Sequence, residues 1–200
     1  VVSAGSGAEH TRMGCLNFSW YDPRRDTVRY KQAGRGGLGT VLRDKRIKAL
    51  VVKRAGVRAD SNHPADRARV DRVGIKMHRE MHDFDHVQCR MRQVGTAHLV
   101  EIMNDYDLLP THNFQYGAHP DADQIDSTVY FERYTQGIPD GCWYGCTMSC
   151  SKGVDDFELE SGPYKGERVC VDGPEYETIA GCGANVGVFD PEAIIEANFY

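Results

Sequence analysis

Three cysteines stand close together in the run Cys142-Trp143-Tyr144-Gly145-Cys146-Thr147-Met148-Ser149-Cys150, at C-x3-C-x3-C spacing. Three thiols this near cannot all pair with one another. Thiolates are soft donors, so such a trio usually holds a metal, and a metal cluster built on thiolates usually moves electrons. A cubane iron–sulfur cluster takes four thiolates, one more than this run supplies. The fourth is either Cys170 or Cys182 downstream, or a cysteine outside the chain. Structural zinc is the competing reading. Zinc sites usually come as two close cysteine pairs or with an H-x3-5-H, and neither follows here, so the spacing favours a cluster.

Other residue groups have chemical potential of their own. In Ala33-Gly34-Arg35-Gly36-Gly37-Leu38-Gly39 the glycines let backbone amides approach an anion, and Arg35 adds a fixed positive fork. The run lacks the Gly-Lys-Ser/Thr ending of a P-loop and does not match the dinucleotide fingerprint; a glycine-rich hairpin explains it equally well. Gly173-Pro174-Glu175-Tyr176-Glu177-Thr178 sets two acids one residue apart. In extended backbone both would face the same side, ready to move a proton near a metal; a solvated turn is the plainer alternative. His78, His82 and His86 recur every four residues, as ligands or as the polar edge of a helix. His112 lies in a loop just past a helix end, where loops carry function.

The elements that must position these groups change character along the chain. Residues 1–53 read as strands and turns, with Thr27–Tyr30 and the β-branched run 47–52 as strands and the glycine run between them as neither strand nor helix interior. A polar stretch over 54–62 marks a domain boundary. Beyond His63-Pro64, Val70, Val73, Met77 and Met81 predict an amphipathic helix over 65–83. A second helix begins at Thr96 and ends before Leu109-Pro110, and a third, capped by Asp126, spans 127–136 and closes at Gly137. Asp190-Pro191-Glu192 starts a fourth.

Composition sets outer bounds. The chain is 40% hydrophobic and 26% charged, ordinary for a globular protein. A net charge of −5 gives no electrostatic case for nucleic acid. No stretch approaches the ~20 apolar residues of a membrane-spanning helix. Seven cysteines, an odd number with three in one knot, suit a reducing compartment, and the cytoplasm is the expected location. The chain opens on Val1 and stops at Tyr200 inside a helical pattern, which reads as a piece of something longer.

Several segments, in order, resemble one family: the aldehyde:ferredoxin oxidoreductases, tungsten (sometimes molybdenum) bis-pterin enzymes with one 4Fe-4S cluster. Ala33-Gly34-Arg35-Gly36-Gly37-Leu38-Gly39-Thr40-Val41, with Lys45 and Lys48-Ala49-Leu50-Val51-Val52, looks like its A-G-R-G-G-x-G-x-V…K…K-A-x-x-V signature. Gly95-Thr96 and Leu109-Pro110-Thr111-His112-Asn113-Phe114 resemble its G-T…L-P-T-x-N-F stretch, and the cysteine knot and Gly173–Thr178 follow in the family's order. Two departures stand out. The family's first cysteine spacing is C-x2-C, so a wider turn at Gly145 must absorb one residue here, and His112 stands where the family often has Arg.

The resemblance implies an α+β fragment: residues 1–55 as the β-rich end of an N-terminal pterin-binding domain, and 63–200 as the start of a mainly α-helical, cluster-binding domain, both incomplete. The fourth cluster cysteine and much of the pterin shell would lie outside these 200 residues. Cys142, Cys146 and Cys150 would bind the cluster. Ala33, Gly34, Arg35, Gly36, Gly37, Leu38 and Gly39 would contact the pterin, whose phosphates a magnesium ion can bridge. Glu175 or Glu177, with His112, would serve the chemistry. The implied reaction oxidises a small aldehyde to a carboxylic acid and passes electrons to ferredoxin or a related subunit, in a protein that can be a homo-oligomer. Reduction of aromatic thioesters by a family relative and a zinc-stabilised, non-catalytic binding module are the rivals.

Overall fold

In the computed structural model, which describes residues 1–53, 64–88, 90–138, 140, 142 and 146–200, the polypeptide divides into two units, Val1–Ala65 and Asp66–Tyr200. The first is built on a hairpin. β2 (Leu16–Asp22) pairs antiparallel with β3 (Thr27–Ala33), in register from Leu16 opposite Ala33 to Asp22 opposite Thr27. Fully buried Asp22 anchors the turn by accepting hydrogen bonds from Arg25 at 3.0 Å and Arg29 at 3.4 Å. β1 (Val2–Ser3) and β4 (Ala49–Leu50) complete a sheet of order β3-β2-β1-β4. The glycine run ends in α1 (Leu38–Asp44), so its last two residues are helical, contrary to expectation. A close approach explains this: Gly39 N–H donates to Gly14 O at 2.8 Å, and a Cβ on Gly39 would run into the Cys15 carbonyl.

The second unit opens with α2 (Arg67–Gln88), followed by α3 (Met91–Val94), a 3-10 turn over Gly95–His98, and α4 (Leu99–Asp105). A 3-10 stretch (Pro120–Ile125) leads into α5 (Ser127–Arg133). β5 (Gly153–Glu158) pairs antiparallel with β6 (Arg168–Asp172), then come α6 (Tyr176–Thr178), a π-turn (Ile179–Gly183), a 3-10 turn (Ala184–Val186) and α7 (Pro191–Phe199). The core gathers Val100, Leu109, Ile125, Tyr130, Ile179 and Ile195, all fully buried. A mixed helix-and-sheet chain is what the α+β reading expects.

Local signals carried most of this. Asp126 accepts from the amides of Thr128 and Val129, and Asp190 from that of Glu192, as capping chemistry dictates. Where the outcome differs, tertiary contacts decide. α5 ends at Arg133 rather than at 136, because Tyr134 leaves helical geometry to donate from its buried hydroxyl to Pro174 O at 2.6 Å. Of the run 47–52 only Ala49–Leu50 pairs, since Val51 and Val52 are exposed and find no neighbouring strand among the described residues. α2 runs past the expected end, to Gln88. Its apolar stripe of Val70, Val73 and Met77 is about half exposed. The polar boundary over 54–62 and the Gly145 turn lie outside the described residues.

Candidate functional site

The cysteine run is held from three sides. From α2, a ring nitrogen of His78 lies 2.8 Å from Thr147 Oγ1. From α3, an Arg92 guanidinium nitrogen donates to Thr147 O at 2.6 Å. From inside the run, Ser149 Oγ donates to Cys146 O at 3.0 Å, and Ser149 takes a left-handed φ of 45°. Just beyond it, Lys152 is 4% exposed; its ammonium donates to Arg92 O at 2.7 Å and to Ser149 O at 2.8 Å. Buried Asp85 fixes Arg92 in turn, accepting from the amides of Met91 at 2.7 Å and Arg92 at 3.0 Å. Asp85 thereby satisfies amides that the start of a short helix leaves without partners.

Gly95-Thr96 joins this loop to the paired acids. Gly95, at φ 60°, packs so closely that a Cβ there would sit 2.6 Å from Cys150 O and 2.9 Å from Lys152 Cγ. Its neighbour Thr96 accepts from Tyr176 N–H at 2.9 Å. Ser151 Oγ then donates to Glu175 Oε1 at 3.0 Å, bringing that carboxylate to the residue beside Cys150. The two acids do not share a side. Glu175 is half-buried with extended backbone at the start of α6, whereas Glu177 lies within the helix and is exposed. Helix formation at Tyr176 replaces the extended backbone that would have aligned them.

Among the described residues no disulfide forms, and Cys15, Cys142, Cys146, Cys150, Cys170 and Cys182 all carry thiols. Burial pushes the Cys150 thiol up, and negative charge at Glu175, Cys146 and Cys142 adds to the effect. Burial pulls Lys152 down, while the charges of Asp140, Cys150 and Asp85 pull it back up. Among the described residues no three His, Cys, Asp or Glu side chains gather tightly enough for a single metal ion. A cluster asks for something different. Each of its irons takes its own thiolate, so its donors stand further apart than those of one ion, and three soft donors within nine residues of chain suit it. Cys170 donates instead to Asp155 at 3.2 Å on the β5–β6 hairpin.

The remaining candidates fall elsewhere. His112 is exposed, at φ 49°, and begins three consecutive left-handed residues with Asn113 and Phe114. Amide bonds to Ala184 O and Asn185 O hold that turn. His82 and His86 are exposed on α2. Ala33–Gly39 belongs to the first unit. Gly37, at φ 68°, is buried against the Arg12 carbonyl, while a Cβ on Gly34 or Gly36 would meet nothing within 4 Å, so that edge of the loop stays open beside exposed Arg35.

Residues 72–200 match the family model described as aldehyde ferredoxin oxidoreductase, domains 2 and 3. The chain belongs to the aldehyde ferredoxin oxidoreductase family. A tungsten-containing aldehyde ferredoxin oxidoreductase of Pyrococcus furiosus is 31% identical over 170 residues, 84% of this chain and 26% of that protein. A protein of the same description from Pyrococcus abyssi is 32% identical over 174 residues, 86% of the chain and 26% of its own length. A Pyrococcus furiosus protein described as an aliphatic sulfonate oxidoreductase, WOR-like subunit, is 31% identical over 168 residues, covering 84% and 25%. This family member thus spans about a quarter of the length of the curated relatives it matches. Among its described residues, no helix is long and apolar enough to cross a membrane.

Sequence reading had missed Asp85, Arg92, Ser151 and Lys152. The last carried a faint signal: a lysine between Ser151 and the Gly153-Val154 strand start, a setting that buries its neighbours.

Proposed function

We propose that this chain is the part of a tungsten- or molybdenum-pterin oxidoreductase that supplies three cluster thiolates, the pterin-contacting glycine loop and the acid/base carboxylate. The whole protein would oxidise an aldehyde, adding water and releasing a carboxylic acid, two protons and two electrons, with ferredoxin or a related subunit as acceptor, in the cytoplasm. When bound, the bis-pterin metal and the 4Fe-4S cluster supply the oxygen and one-electron chemistry. Cys142, Cys146 and Cys150 would hold the cluster, with the fourth thiolate from elsewhere in the longer protein. The open amide edge of Ala33–Gly39, with Arg35, would take the pterin's polar groups or its magnesium-bridged phosphates. This division of labour follows the family, which includes tungsten-containing members.

One observation carries the acid/base part: the Ser151 bond that holds Glu175 beside the thiol loop. Ser151 occupies Oε1 and thereby orients the carboxylate, leaving Oε2 to take a proton from substrate or the attacking water. Half-burial keeps the group near the dry interior, where a positioned base contributes about 10²–10⁴ in rate. We assign the role to Glu175 in preference to Glu177, which is exposed, and to His112, which stands on a separate turn held by Ala184 O and Asn185 O.

The test uses the full-length enzyme with an aldehyde and a ferredoxin-type acceptor. E175Q is expected to lower kcat at least about a hundredfold with iron and tungsten content unchanged, and E177Q to stay within about threefold of the parent. Full turnover by E175Q would refute the assignment. Purified parent enzyme holding neither iron nor a group-six metal would end the whole reading.

A further inference from the structure

Lysine is almost never fully buried without a partner, and taking an ammonium out of water costs several kcal/mol before compensation. Lys152 accepts that cost two residues after the last cysteine of the run. Its stem lies against Gly95, whose missing side chain makes the room, and its head bonds two main-chain carbonyls, Arg92 O on α3 and Ser149 O in the thiol loop. An apolar residue of similar length would fill the same channel, and such replacements of buried charge are often neutral or stabilising. Packing alone therefore does not account for a lysine here. Resting on the cluster reading above, we propose that Lys152 is a positioning residue of the thiol loop that also raises the reduction potential of the cluster the loop would hold.

The charges around it define the direction. Asp140 and Asp85 supply negative charge, Arg92 positive, and Cys150 shares the same surroundings. Held by Ser151, the residue between Cys150 and Lys152, stands the Glu175 carboxylate. Adding an electron to a thiolate-bound cluster makes an already negative site more negative. A buried positive charge nearby stabilises the reduced form most, because interactions there are less screened than at the surface. Glu175 acts in the opposite sense. Lys152 and Glu175 thus set opposing charges near Cys150, and removing the lysine shifts that balance toward the acid. Losing its two hydrogen bonds would also free Ser149 and with it the turn between Cys146 and Cys150.

The experiment compares full-length, anaerobically loaded parent, K152Q and K152R by iron and sulfide content and by redox titration followed with low-temperature paramagnetic resonance. K152Q keeps a donor for the carbonyls and removes the charge. It is expected to hold parental iron and to shift the reduction equilibrium about tenfold toward the oxidised form, which is 59 mV lower for a one-electron couple. Parental iron with an unchanged or higher potential overturns the inference. Loss of iron from K152Q supports the positioning role, and K152R then decides the charge: loaded at the parental potential it supports the proposal, and unloaded or shifted downward it overturns it. A parent without iron sinks the cluster reading itself, an outcome distinct from any shift among variants.

Discussion

Removing the Asp85 carboxylate should loosen the scaffold behind the cysteine run without touching a cysteine. Asp85 is 6% exposed and accepts two backbone hydrogen bonds, at 2.7 and 3.0 Å, from the first amides of α3. A hydrogen bond to a charged acceptor is worth about 1.5–3 kcal/mol, and losing a helix N-cap typically costs about 1 kcal/mol. Because water reaches the amides once the segment opens, we take about 3 kcal/mol for D85A. D85N retains one acceptor oxygen and should lose about half of that. At roughly 1.4 kcal/mol per tenfold, amide hydrogen exchange at Met91 and Arg92 should quicken about a hundredfold in D85A and about tenfold in D85N. Arg92 also holds Thr147 O and receives Lys152, so amides over 147–152 should quicken with it. The assay is exchange followed by mass spectrometry on the full-length protein. Rates within about twofold of the parent at Met91 and Arg92 in both variants would refute the reasoning.

G95A forces a Cβ against Cys150 O and Lys152 Cγ in a backbone region that only glycine adopts readily, which should cost at least about 2 kcal/mol and lower both Tm and iron content. Tyr130 is fully buried, and among the described residues its hydroxyl finds no partner, so Y130F should be neutral or stabilising by about 1 kcal/mol in denaturant melts. Glu196 has its carboxylate held below the usual range by the Ser161 hydroxyl and by the amides of Glu160 and Ser161. Its contribution is therefore present above the unfolded value of about 4.3 and lost as pH falls through the lower folded value. The parent should exceed E196Q in stability at pH 7, and acid titration of the two should close that gap below about pH 4.

What the chain discloses in one dimension is what depends on near neighbours. Asp126 and Asp190 cap helices a residue away, so their roles are written into the text. The glycine run and the cysteine trio are legible for the same reason, being local patterns whose residue types restrict their chemistry. The choice between Glu175 and Glu177 is not, because a serine 24 positions earlier makes the difference. Lys152 and Asp85 read as ordinary charged residues until burial is known, and nothing in a lysine's neighbours along the chain says that its head meets carbonyls 3 and 60 positions away. Tyr134 ends its helix early for a carbonyl 40 residues on, against a propensity that would have carried the helix through.

Arg92 and Lys152 grip the thiol loop through the oxygens of Thr147, Ser149 and Arg92, all of them peptide groups. Every amino acid brings that same oxygen. These grips therefore place no demand on the residue types at 147 and 149, which answer instead to the His78–Thr147 and Ser149–Cys146 side-chain bonds and to the left-handed backbone at 149. A survey of related genes that found positions 92 and 152 losing their basic side chains while the three cysteines stayed would mean that the loop is fastened by some other means.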